Sequence, residues 1–138
     1  MIGLILKTRV KYQLKNKSNQ NSQKNDIFGK VRSFLGKEIR YLAMINKQGK
    51  IENIFGIEIV SSPQRKEMFG MSIRLQNSLQ KDFDNEFGLT NYTIIERKNL
   101  KFFLLPYLSY VILAITSKDV KPAHIINKIK KVKWAGIC

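Results

Sequence analysis

Apolar and polar positions along this chain change period several times, and each change marks an element. From Leu6 to Leu14 the alternation is strict: Leu6, Thr8, Val10, Tyr12 and Leu14 fall on one side, Lys7, Arg9, Lys11 and Gln13 on the other. Period two predicts an amphipathic strand or an adhesive arm. Residues 15–26, KNKSNQNSQKND, carry no apolar side chain and read as a flexible linker, since they cannot bury enough surface to offset their ordering entropy. Asp26 then suits the N-cap of a short helix whose stripe is Ile27, Val31, Phe34 and Leu35, with Gly36 at its stop. IRYLAMIN, 39–46, is apolar on both faces, with Ile39, Tyr41, Ala43 and Ile45 on one and Leu42 and Met44 on the other. That predicts a strand covered on both sides. Gln48-Gly49 supplies a turn, and KIENIFGIEIV, broken by Gly56, returns as a second strand.

The longest helical pattern spans 64–87, opened by Ser62-Pro63 and closed by Gly88. Met68, Met71, Leu75, Leu79, Phe83 and Phe87 recur every three or four residues and form one apolar face. A helix this long must cover a sheet, so that face is expected to pack inward. Phe69 and Ile73 lie off the stripe, and a second side of the helix is therefore free to dock a partner. Met68, Phe69, Met71 and Ile73 are the candidate partner or dimer face, the methionines being soft and adaptable. Three strand patterns follow, at 91–98, 100–107 and 110–117, joined by short turns as an antiparallel meander. DVKPAHIINKIKKVKW closes the chain as a helix, with Pro122 in its first turn and Ile125, Ile126, Ile129 and Val132 on one face. The order is helix, two strands, long helix, three strands, helix. This is an α+β chain with one five-stranded, mainly antiparallel sheet. Residues 1–25 are expected to be a basic, flexible extension, 26–134 the domain and 135–138 a short tail.

Composition narrows the function classes. The chain has 138 residues, enough for one domain with its own core. It has one cysteine, Cys138, so no internal disulfide forms, and a cytoplasmic location is expected. No secretory leader pattern opens it, and the longest uncharged run, 102–117, is too short to span a bilayer and is broken by Pro106. The net charge is +15, concentrated at the ends: residues 1–40 hold 10 basic and 2 acidic side chains, and 118–138 hold 6 and 1. Lys128, Lys130, Lys131 and Lys133, around an apolar stripe and before Trp134, form a candidate patch for an anionic partner, either nucleic acid or lipid. No nucleic-acid motif accompanies it, and a solvated lysine face is the competing reading.

Catalytic and cofactor signals are not found. His124 is the only histidine and reads as structural or solvent-facing. DFDNEFG, 82–88, places Asp82, Asp84 and Glu86 at calcium-loop spacing, but its glycine comes one place late and Thr93 stands where a glutamate is required. No phosphate-binding glycine loop occurs. The sequence implies no cofactor, no metal and no enzyme, and identifies no small molecule.

IRYLAMINKQGKI, RLQNSLQKDFDNEFGLTNYTIIERK and the FLLPYLSYVILAIT meander together resemble the roadblock/dynein light-chain domains, of profilin-like fold. The resemblance is closer still to a family of short archaeal proteins. The resemblance covers residues 26–133. It implies a sheet order of 2-1-5-4-3, a homodimer with the long helix and third strand at its interface, and a role as a scaffold or regulator. The alternative is a nucleic-acid-binding protein using its lysine-rich ends.

Overall fold

The structure is a computed structural model, and it describes residues 28–56, 60 and 62–134. The alternating segment 6–14, the linker, Asp26, Ile27 and the tail 135–138 lie outside the described residues. Helix α1 covers 28–35. It is followed by β1 (Ile39–Ile45), β2 (Ile51–Gly56), α2 (Pro63–Lys81), α3 (Asp84–Phe87), β3 (Thr93–Glu96), β4 (Leu100–Tyr107), β5 (Tyr110–Ser117) and α4 (Pro122–Lys130). The five strands form one sheet in the order β2-β1-β5-β4-β3, the order that the resemblance implies. All of its pairings are antiparallel.

Period two explains how the sheet is buried on both sides. Leu42, Met44, Phe103, Leu105, Ile112 and Ala114 face one side, where Val31 and Leu35 of α1 and Ile125, Ile126 and Ile129 of α4 cover them. Tyr41, Ala43, Ile45, Phe102, Leu104 and Leu113 face the other, packed with Ile73 and Phe69 of α2. Ile39 departs from its expected side. The β1–β5 register slips between Ile39 and Tyr41, and the slip moves Ile39 to the side of Leu42. Pro106 falls where β3 no longer reaches: β3 pairs with β4 only from Thr93↔Leu104 to Glu96↔Lys101, so the missing N–H leaves no gap in that ladder.

The caps follow chemistry legible in the residues. Ser62 Oγ accepts the backbone N–H of Arg65 at 3.1 Å, and Pro63 takes the first turn of α2. Asn46 Oδ1 accepts the N–H groups of Gln48 and Lys50, closing the β1–β2 turn, in which Gly49 has φ +82°. Beyond α4, Trp134 is buried and its indole Nε1–H donates to the Ile129 carbonyl at 3.0 Å, tying it to the last turn of the helix.

Candidate functional site

Helix α2 carries the site, because it is apolar on two opposite sides and the sheet takes only one. Lys66, Phe69, Gly70, Ile73, Arg74 and Asn77, spaced by three or four, are its buried and half-buried positions. Gly70 sets this choice. With no Cβ it lets the helix backbone touch the β1–β2 turn at Gly49 and Ile51, and Ile73, 2% exposed, is drawn in beside it. Phe69 meets Phe102 edge to face, their centroids 5.8 Å apart.

The long stripe expected to pack inward therefore points out. Met68 is 60% exposed, Met71 56%, Leu75 60%, Leu79 54%, Phe83 52% and Phe87 83%. Sequence periodicity found the stripe but assigned it to the wrong side, since the larger apolar face does not contain the glycine that permits close approach. The helix also ends sooner than its pattern. It stops at Lys81, and Phe83 caps the separate turn α3 without a side-chain hydrogen bond. Phe83 and Phe87 still stack at 6.2 Å, and Leu89, two residues on, is 80% exposed. Such a line of exposed apolar side chains is costly in water. At the edge of the sheet, β3 has four residues, and one side of its backbone is unpaired among the described strands.

No family model matches the chain, and no curated protein matches it in sequence. Solved structures do match in fold. The Roadblock/LC7 domain from Streptomyces avermitilis superposes with a TM-score of 0.60 at 12% identity, over 78% of this chain and 96% of that one. Myxococcus xanthus MglB gives 0.62 at 10% identity, over 80% and 88%. The gliding protein MglB from Thermus thermophilus gives 0.60 at 7% identity, over 78% and 84%. The chain has the roadblock-like fold. At such low identity the likeness establishes the fold and leaves residue roles to the chain itself.

Of the four candidate face residues, the structure exposes Met68 and Met71, half-buries Phe69 and buries Ile73 against its own sheet. Leu75, Leu79, Phe83 and Phe87 extend the exposed set, and sequence reasoning had assigned them to the core.

The lysine patch is divided. Lys128 turns inward: its ammonium donates to Glu38 Oε1 at 3.1 Å and to the Leu35 carbonyl at 3.3 Å, tying α4 to the end of α1. His124 joins from the same helix, its Nε2 3.2 Å from Glu38 Oε2. The hydrogen bond from Lys128 is the main reason that Glu38 has a lowered pKa, with the charges of His124 and Lys128 acting in the same direction. Lys130 stands 5.9 Å from the centre of the Tyr92 ring, and Lys131 and Lys133 are exposed. Among the described residues, no three His, Cys, Asp or Glu side chains are grouped to hold a metal ion. No described helix is long and apolar enough to cross a membrane.

Proposed function

We propose that this roadblock-like domain is a non-catalytic scaffold or regulatory module that acts as a homodimer through the outer face of α2. The exposed stripe from Met68 to Phe87 carries the reading. Six large apolar side chains in one line cost free energy in water, and an identical stripe on a second copy covers them by two-fold symmetry. The open edge of β3 offers backbone pairing beside it. A neighbour in fold, an MglB solved in a tetrameric arrangement, matches with a TM-score of 0.60 at 5% identity, which supports assembly as a use of this fold. The single cysteine supports a cytoplasmic location. The likeness to short archaeal proteins rests on the sequence pattern alone. With Lys128 engaged by Glu38, no observation favours the nucleic-acid reading.

Light scattering after gel filtration tests the proposal. The intact chain at tens of micromolar is expected at twice its 16.0 kDa mass. Leu75→Glu/Leu79→Glu is expected to run at the mass of one chain with its helical circular dichroism unchanged. Elution of the intact chain as a monomer would reject the dimer.

A further inference from the structure

Leu108 opens the loop of the β4–β5 hairpin, between the paired Tyr107 and Tyr110. Its φ is +54°, and among the described residues no other non-glycine has a positive φ. The first position of so short a hairpin loop, in that conformation, favours glycine, asparagine or aspartate. The leucine side chain is also 78% exposed. It therefore carries two costs, backbone strain and apolar surface in water, and so exposed a side chain makes little contact within the chain to offset either. Strain kept at an exposed tip points to a use outside the molecule.

The surroundings indicate what receives it. Tyr107 and Tyr110, half-buried, pack against the same core as Val132 and Trp134, which brings the end of α4 up to this turn. Lys130 lines one cavity with Pro106, and Lys81 and a single acidic residue, Asp84, share that lining. The Lys130 ammonium stands 5.9 Å from the centre of the Tyr92 ring, and that tyrosine is 44% exposed. Lys131 and Lys133 are exposed. An apolar tip, amphipathic rings behind it and flexible cations around it match the acyl boundary, the interface and the anionic headgroups of a bilayer. We propose that this end of the molecule docks on an anionic phospholipid surface, with Leu108 inserted and Lys130, Lys131 and Lys133 among the headgroups. A bilayer needs no shape match to a projecting turn, which favours it over a pocket on a protein. The surface is separate from the dimer proposed above, since the turn belongs to β4 and β5 and not to α2.

Co-sedimentation of the full chain with vesicles of phosphatidylcholine, alone or with about 30 mol% phosphatidylserine, tests this. The intact chain is expected to bind the anionic vesicles at least about tenfold more tightly than the neutral ones. A chain of net charge +15 also adsorbs to anionic vesicles by charge alone, so the deciding variant is Leu108→Asn, which keeps that charge. It is expected to weaken binding about tenfold while its melting temperature holds or rises, because asparagine tolerates the left-handed turn. Lys131→Gln/Lys133→Gln is expected to weaken binding about tenfold or more. In Leu108→Trp, the added indole is expected to shift its emission to the blue on anionic vesicles. Failure to sediment with either vesicle would overturn the proposal and leave the tip to a protein pocket. Equal binding to both vesicles, or Leu108→Asn binding as tightly as the intact chain, would overturn it too, the latter leaving only adsorption by charge.

Discussion

A Cβ atom on Gly70 would lie 2.1 Å from the Gly49 carbonyl oxygen and 2.9 Å from Ile51 Cγ1. The first neighbour is backbone and cannot turn aside, so α2 must lift from the sheet to admit any side chain. Gly70→Ala is therefore expected to destabilise by about 1–3 kcal/mol, outweighing the roughly 1 kcal/mol that alanine gains in a helix. Gly29, helical in α1 with nothing within 4 Å of its would-be Cβ, provides the contrast. Gly29→Ala is expected to stabilise by about 0.5–1 kcal/mol. Urea unfolding midpoints of the two variants should move in opposite directions. Glu38 makes a second prediction at this scale. Its carboxyl is held below the usual carboxylate range by the Lys128 hydrogen bond, with the charges of His124 and Lys128 adding to it. A group with a depressed folded pKa contributes stability that is present above its unfolded pKa and is lost as pH falls through the folded one. Stability is thus expected to decline through the acid side of the carboxylate range, and Glu38→Gln to show a shallower decline there in thermal melts across pH. Both groups are substantially exposed, so salt should blunt the effect.

At the scale of the element, α2 shows what a helical period reports and what it omits. Spacing by three and four located the helix and its apolar stripe, and Ser62-Pro63 located its start. Within α2, the stripe Met68, Met71, Leu75 and Leu79 and the set around Gly70 and Ile73 lie on opposite sides of one cylinder, and composition favours the former. The choice fell to the latter because contact distance, not apolar count, governs packing of a helix on a sheet. Ile73→Ala is accordingly expected to cost about 2–5 kcal/mol in chemical denaturation. Leu75→Ala is expected to leave the folding free energy of a single chain within about 0.5 kcal/mol and to weaken self-association instead. Equal costs at both positions would contradict the assignment of faces. The strands were easier to read, since β4 and β5 coincide with the patterns at 100–107 and 110–117. Ile39 was misplaced because a slip in register leaves no mark in an alternation that is apolar on both sides.

For the whole molecule, the expected dimer makes stability depend on concentration. If two copies share the α2 surface, mass action raises the melting temperature as protein concentration rises. The intact chain is expected to show that rise in calorimetry, and Leu75→Glu/Leu79→Glu to melt at one temperature whatever its concentration. The same reasoning explains why a single chain tolerates its exposed stripe. A net charge of +15 keeps encounters between copies selective, since only a contact that buries apolar surface overcomes the repulsion.

Except for the break that sets α3 apart from α2, the residues alone determined the order and periods of the main elements between 28 and 134 and the caps at Ser62 and Gly36. These are properties of neighbours in the chain, set by local sterics and by the alternation of burial. The inward side of α2, the capture of Lys128 by Glu38 and the meeting of Lys81, Asp84 and Lys130 around one cavity were decided only in three dimensions. Each joins positions remote in sequence, and which of them meet depends on how closely the layers of helix and sheet can approach.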